Sequence, residues 1–247
     1  MATVYILAHF DDEYFAYPLL TAAARDGVDQ YFFYVADYPD PEVAARRHAE
    51  TRAFLGAFGV DPERAVHVGR GTGAMDGGAH RTLDAVYAAL SRAAADVGPV
   101  ERIVVTAWEG GHVDHDICAL LAARLSSEVG EPPVETISYY NGVGLPGPLF
   151  HCGRPLAENG PVERRRLKPG EWLRWMAAVR FFPSQAGTWV GLWPMMFAAY
   201  ARRGYATQRL DMARIRERPH AGRLFYERRF RVPYEEVAAA RDAFLRR

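Results

Sequence analysis

The chain has 247 residues, a formal net charge of zero and a hydrophobic fraction of 49%. This length allows one large domain with a full core, or a core with an appendage. Because no basic excess exists to neutralise phosphates, the composition argues against a nucleic-acid-binding protein.

Cysteine use is sparse, with Cys118 and Cys152 alone, so no disulfide framework is expected and a reducing compartment is indicated. The N-terminus has neither a basic start nor a long apolar run, which argues against a signal peptide. No apolar run approaches the length of a membrane span, about 20 residues. We therefore predict a cytoplasmic protein without a membrane-spanning segment.

Apolar runs alternate with helical patterns along the first 140 residues. The predicted strands are residues 3–8, 31–36, 65–68, 102–107 and 134–140. The predicted helices are residues 13–26, 41–58, 81–95 and 114–127. Strands that alternate with helices predict an α/β fold with a mostly parallel, doubly wound sheet and right-handed crossovers.

The character of the sequence changes after residue 141. The predicted elements there are helices over 171–182, 189–203 and 233–246 and an edge strand over 223–232. The aromatic helix is expected to break near Pro194. Its aromatic residues recur at helical spacing, which is typical of core, although the segment could instead line a substrate cleft; they are Trp189, Trp193, Phe197 and Tyr200.

We interpret the second part of the chain as an α/β extension packed on the sheet. The core is expected over residues 1–141 and the C-terminal extension over 142–247, so that residues 1–247 form a single domain. Neither composition nor pattern indicates an oligomeric state.

Two polar clusters follow two of the predicted strands. The first cluster is residues 9–13, with one imidazole and three carboxylates, and the second is residues 109–116. Crowded carboxylates repel one another, and one would be protonated unless a cation lies among them. Ligands bind at the carboxyl ends of the strands in open α/β sheets, so the two clusters are expected to converge on one metal ion.

The residue types in these clusters suit a transition metal. His112 and His115 are three residues apart at a helix start, where both can face one side. Two imidazoles and one carboxylate with open positions make a site for zinc or ferrous iron. Alternatively, Asp11 and Asp12 merely cap the first helix, which would account for one carboxylate but not for the whole set.

At these residues the sequence resembles the PIG-L/LmbE family of metal-dependent N-deacetylases. That family carries Ala-His-Pro-Asp-Asp-Glu after its first strand and His-Pro-Asp-His later. The counterparts here are AHFDDE at residues 8–13 and HVDH at residues 112–115. The resemblance extends to RHAE at 47–50, DG at 76–77 and PSQ at 183–185, and it implies a Rossmann-like α/β sheet.

The resemblance also implies roles for individual residues. The implied zinc ligands are His9, Asp12 and His115. The implied catalytic residues are Asp11 as general base, His112 as oxyanion stabiliser or acid, and Asp114 as the residue that orients His112. Arg47 and Asp76 resemble positions that contact a sugar-like substrate. For Arg47 a surface position is the alternative, and the Asp76-Gly77 pair is also an ordinary turn signal.

The sequence departs from the family pattern at three positions. Phe10 and Val113 replace the two motif prolines, which removes two constraints on φ. Gly110 stands two residues before His112, where some members carry a tyrosine that assists the carbonyl. Loop positions and pocket shape are therefore expected to differ from the family pattern.

The residues and the resemblance together predict a zinc-dependent hydrolase that acts on a small N-acylated substrate. We expect it to remove an N-acyl group, with acetyl as the first expectation, from an amino sugar or related metabolite. One alternative is an amidase that cleaves a larger acyl or conjugate group, and another is a non-catalytic metal-containing binding protein. A nucleotide-binding protein is disfavoured because the glycine fingerprint is missing after the first strand.

Overall fold

The computed structural model describes residues 2–246. The strands are β1 (Ala2–Leu7), β2 (Asp29–Tyr34), β3 (Ala65–Val66), β4 (Val100–Thr106), β5 (Val134–Ile137), β6 (Tyr140–Asn141), β7 (His151–Cys152), β8 (Val162–Arg165) and β9 (Tyr205–Arg209). The α-helices are α1 (Tyr17–Arg25), α2 (Pro41–Ala57), α3 (Leu83–Ala95), α4 (Val113–Glu128), α5 (Pro169–Ala177), α6 (Ala186–Arg203), α7 (Phe225–Arg229) and α8 (Tyr234–Leu245).

Seven strands form one sheet in the order β3-β2-β1-β4-β5-β9-β8. The first five pair in parallel, whereas β9 pairs antiparallel with β5 and with β8. The predicted α/β fold with a mostly parallel, doubly wound sheet is confirmed. The strand order reverses between β1 and β4, so the crevice at their carboxyl ends is where such folds bind ligands.

The central strand β1 is buried on both faces of the sheet, as expected for a parallel sheet with helices on each side. Val4 and Ile6 belong to a core layer shared with α3, α4 and α8. Tyr5 and Leu7 belong to the opposite layer, shared with α1, α2, α5 and α6. Alternation along one strand therefore ties the two layers together.

The sequence-based predictions for the C-terminal part were partly wrong. The predicted edge strand over 223–232 is instead the short helix α7, whose first turn is closed by the Glu227 carboxylate accepting the Leu224 N–H at 2.6 Å. The additional strands are β7, β8 and β9, which the sequence pattern did not reveal. Three of the four residues of β8 are exposed, so its composition reads as a basic surface run rather than as a strand.

The N-terminal helix also begins later than predicted. A 3₁₀ turn covers Asp12–Tyr14, and α1 starts only at Tyr17, with Pro18 in its first turn. The residues of the first polar cluster therefore lie in a tight loop between strand and helix. None of the helices in the described range 2–246 is long and apolar enough to cross a membrane.

The helix α6 is continuous through Pro194, so the expected break is absent. A proline inside a helix removes one backbone hydrogen bond and clashes with the preceding turn. We expect Pro194→Ala to raise the free energy of unfolding, by up to about 3 kcal/mol. Pro169→Ala is the control, because the first position of α5 accommodates proline without loss. Equal effects of the two substitutions in denaturant titrations would contradict this account.

Candidate metal centre and active site

The carboxylate of Asp12 organises the loop that leaves β1. Its Oδ2 accepts the backbone N–H groups of Ala8 at 3.0 Å and of His9 at 2.8 Å. Its Oδ1 lies 3.3 Å from Nε2 of His115, which belongs to the first turn of α4. The ends of β1 and β4 are thereby brought together at the crevice of the sheet.

His9, Asp12 and His115 form a compact group of potential metal ligands. Each offers one ligand atom, and these atoms lie within 4.8 Å of one another. Nε2 of His9 and Nε2 of His115 are buried without a hydrogen-bond partner. Buried polar atoms without partners are costly, and a divalent cation between them would remove that cost. Two imidazoles and a carboxylate fit zinc or ferrous iron.

Asp11 lies beside this group in a strained conformation. Its φ of 108° is in the left-handed region, which is unusual for a residue other than glycine. The Asp11 N–H donates to Oε2 of Glu13 at 3.1 Å, which holds the turn. Burial, together with the charges of Asp12 and Glu13, raises the pKa of Asp11 well above its ordinary value.

His112 is the N-cap of α4 and faces the same crevice. Its Nδ1 accepts the backbone N–H of Asp114 at 3.2 Å, and its Nε2 lies 3.2 Å from Oδ1 of Asp76. The preceding Gly111 packs so closely on the Tyr140 carbonyl that a Cβ would lie 2.0 Å from that oxygen. The glycine thus lets the loop before α4 pass β6 and fixes where His112 begins the helix.

The Asp114 carboxylate makes no hydrogen bond to the His112 ring. Its Oδ2 lies 3.8 Å from Nδ1 of His112, too far for a hydrogen bond. It accepts the backbone N–H of Gly77 at 2.7 Å and of Ala79 at 3.0 Å, and Oδ2 lies 3.4 Å from Nε2 of His9. In the structure Asp114 fixes the glycine-rich loop through its side chain, and it holds His112 through its backbone.

Asp76 lies closer to the metal ligands than its predicted role suggested. Its exposed carboxylate places Oδ1 3.2 Å from Nε2 of His9 and 3.2 Å from Nε2 of His112. Contact with the two imidazoles, that of His112 first, lowers the pKa of Asp76. His9, Asp76, His112 and Asp114 also form a second group of potential ligands. The sequence signal was only an Asp-Gly pair in a glycine-rich loop, which has no metal-ligand spacing.

A cavity of about 570 Å³ opens beside these residues. The three ligands, Asp11 and His112 all line it. Both predicted substrate-binding residues, Arg47 and Asp76, line it as well. Of the aromatic residues in α6, Trp189 lines the cavity, whereas the indole N–H of Trp193 donates to the Met176 carbonyl at 2.9 Å.

Phe10 replaces the first motif proline and is fully buried. Its ring stacks with the rings of Tyr38 and His48, at centroid distances of 5.4 and 4.9 Å. Its N–H donates to the Tyr38 hydroxyl at 3.2 Å, a bond that proline could not form. Val113 stands at the first position of α4, where proline would also be tolerated. Aromatic packing and a hydrogen bond thus hold the loop at Phe10 without the fixed φ of a proline.

The segment before α6 is attached to the same loop. The Gln185 amide donates to the Phe10 carbonyl at 2.8 Å. The backbone N–H and hydroxyl of Ser184 donate to the two carboxylate oxygens of Glu50 at 3.0 and 2.6 Å. The similarity noted at residues 47–50 and 183–185 therefore corresponds to one physical clamp between α2 and the start of α6.

No protein-family model matches the chain, and no curated protein matches it. Solved structures do match. A triple mutant of the deacetylase of teicoplanin biosynthesis has a TM-score of 0.60 at 20% identity, over 85% of this chain and 98% of that chain. N,N'-diacetylchitobiose deacetylase from Pyrococcus horikoshii has a TM-score of 0.60 at 13% identity, over 89% and 87%. The chain shares its fold with these deacetylases. The fold that the PIG-L/LmbE resemblance implied is confirmed.

The same fold also carries different chemistry. The 4-carboxy-2-hydroxymuconate hydratase of Pseudomonas putida matches with a TM-score of 0.50 at 15% identity, over 85% of this chain and 95% of that chain. At such identities the likeness concerns the fold alone, and the reaction has to be argued from the residues of the site.

The ligand group predicts one metal ion per chain. We expect calorimetric titration with zinc to give one equivalent at the triad. His115→Ala should weaken zinc binding at least about 100-fold. Mutation of a residue that merely hydrogen-bonds to a metal ligand already lowers metal affinity about 10–100-fold, and loss of a ligand should cost more. His151→Ala is the control, since that ring bonds the Val143 carbonyl outside the ligand group. Less than half an equivalent bound to the unmodified chain would refute the metal centre.

Proposed function

We propose that the protein is a metal-dependent hydrolase that removes an N-acyl group from an amino sugar or a related small metabolite. The observation that carries this proposal is the buried triad with two unpartnered imidazole nitrogens, next to a carboxylate that the triad does not use. The deacetylases that share the fold support the choice of reaction.

The metal would be held by His9, Asp12 and His115. When zinc or ferrous iron is bound there, it supplies Lewis-acid activation of water and of the amide carbonyl. The Asp12 carboxylate is suited to this task, because Oδ2 is occupied by backbone donors and Oδ1 is left for the cation.

Asp11 acts as the general base in this proposal. It takes a proton from the attacking water and returns it to the leaving amine nitrogen. The raised pKa makes its carboxylate a stronger base, and a bound cation would offset part of that rise. The strain at its backbone also favours catalysis over simple metal binding, because a binding protein needs no such conformation there.

His112 stabilises the oxyanion that develops on the substrate carbonyl. Because its Nδ1 accepts the Asp114 N–H, the ring carries its proton on Nε2, the nitrogen that faces the crevice. One such donor typically contributes about 2.7–4 kcal/mol to transition-state stabilisation. Asp114 supports the site indirectly, by fixing the glycine-rich loop that carries Asp76. Arg47 and Asp76 would contact the polar part of the substrate.

We also infer that the chain acts as a single domain in the cytoplasm. The extension adds β8 and β9 to the sheet of the core, which supports one structural unit. Cys118 and Cys152 are both buried and unpaired, which supports a reducing compartment.

Separating the two adjacent aspartates tests the proposal. We expect Asp11→Asn to keep the metal and to lower kcat by about 10²–10⁴, the usual contribution of base catalysis. Asp12→Ala should lose the metal, because it removes one of the three ligands. Amine release from N-acetylated amino sugars and zinc content would be measured on both.

Two further variants sharpen this test. His112→Ala should keep the metal and lower kcat more than it raises KM, as expected for a group that acts in the transition state. Asp26→Asn, at an exposed position, should change neither property. If Asp11→Asn strips the metal while Asp12→Ala retains it, the two roles are exchanged. If all variants retain metal and full activity, the proposed site is wrong.

A further inference from the structure

The cavity beside the proposed ligand triad is lined by residues of two chemical kinds. Several are charged, among them Arg47, Asp76 and Arg229. Others are apolar or aromatic, among them Trp189 and Leu192 of α6. An N-acyl amide has the same division, because a hydrocarbon chain lies on one side of the scissile bond and a polar amine component on the other.

Two exposed glycines of α6 leave open space next to Trp189 and Leu192 of the same helix. Gly187 and Gly191 both line the cavity and lie one helical turn apart, on the same side of α6. A Cβ added at either position would meet no atom within 4 Å. Both glycines have ordinary helical backbone conformations, so no positive φ requires them. Their absent side chains instead leave room beside the helix.

This open space is held at a fixed place relative to the metal ligands. The amide of Gln185, at the start of α6, donates to the carbonyl of Phe10, the residue that follows His9. The neighbouring Ser184 donates hydrogen bonds to the Glu50 carboxylate of α2. The cavity also reaches His115, one of the proposed metal ligands, so the open space and the proposed reaction site share one cavity.

We propose that Gly187 and Gly191 form the floor of an acyl-chain subsite, and that the enzyme prefers an N-acyl chain longer than acetyl. This inference rests on the proposed hydrolase function and names its substrate class. Asp11 takes one proton from water as its oxygen adds to the amide carbonyl carbon, and it gives that proton to the amine nitrogen as the C–N bond breaks. The chain leaves as a carboxylic acid, which then loses its proton to the released amine, so the products are a carboxylate and an ammonium ion. Acetyl would leave the space beside the glycines unfilled.

A chain-length series measures the preference directly. N-acetyl-, N-butanoyl-, N-hexanoyl- and N-octanoyl-glucosamine would be compared by amine release with the metal-loaded protein. Burial of each added methylene group corresponds to about a fourfold gain in kcat/KM until the space is filled. A flat or falling series would overturn the proposal.

Filling the space tests the two glycines. Gly191→Leu and Gly187→Leu should lower the ratio of octanoyl to acetyl kcat/KM at least about tenfold, because the new side chain occupies the place of the acyl chain. Gly191→Ala should have a smaller effect. These variants should fold, since leucine and alanine favour helices more than glycine does. Ala198→Leu adds an exposed leucine to the same helix outside the cavity and should leave the ratio unchanged.

Failure of the subsite and failure of the hydrolase function give different results. An unchanged ratio in both leucine variants, with amine still released, would overturn the subsite alone. If no substrate releases amine, the hydrolase function fails, and calorimetric binding of N-octanoyl- and N-acetyl-glucosamine then decides the subsite. Tighter binding of the octanoyl compound that Gly191→Leu abolishes would support it, and equal binding would exclude it.

Discussion

The Asp12 carboxylate makes the contacts on which the site depends, because its two oxygens serve two separate parts of the chain. Oδ2 accepts two backbone N–H groups and thereby fixes the loop that leaves β1. Oδ1 faces His115 on α4. Burial opposes ionisation of Asp12, but the charges of His115 and His9 outweigh it and lower its pKa. One charged side chain thus joins two strand ends and still offers an oxygen to a cation.

Buried carboxylates hold the surrounding loops in the same way. Glu109 accepts the backbone N–H groups of Tyr139 and Tyr140, at 2.7 and 3.0 Å, and so attaches the loop after β5. Asp114 attaches the glycine-rich loop after β3. Burial raises the pKa of Glu109 to about 7 despite these donors. Burying a carboxylate destabilises the fold unless hydrogen-bond donors surround it. Each of these carboxylates therefore depends on the loop that supplies its N–H donors, and the loop depends on the carboxylate.

The parallel core and the proximity of His9, Asp12 and His115 could be predicted because their signals are local. Each strand of the core is a short apolar run, and each ligand cluster directly follows such a run. The contacts of Asp76 and Asp114 could not be predicted, because they depend on the path of a loop without periodicity. The strand β8 was missed because it lies at the sheet edge with charged side chains, and α7 was missed because five residues show no helical period.

The candidate metal and catalytic residues come from the N-terminal core, whereas the C-terminal extension contributes to the lining of the cavity. The segments that follow β1 and β4, within the first 115 residues, supply all five candidate site residues, which are His9, Asp11, Asp12, His112 and His115. The helix α6 adds Trp189 and Leu192 to the lining of the cavity, and hydrogen bonds of residues 184 and 185 attach the start of this helix to that core. The core loops hold the ligands through backbone hydrogen bonds that tolerate little change. On the cavity face of α6, Trp189 packs on Tyr14 and Phe15, just after the Asp12 loop. Gly187 and Gly191 have no such neighbours, so side chains at these two positions can vary in size without moving the proposed ligands. Substrate choice can therefore change on this fold while the metal centre is kept.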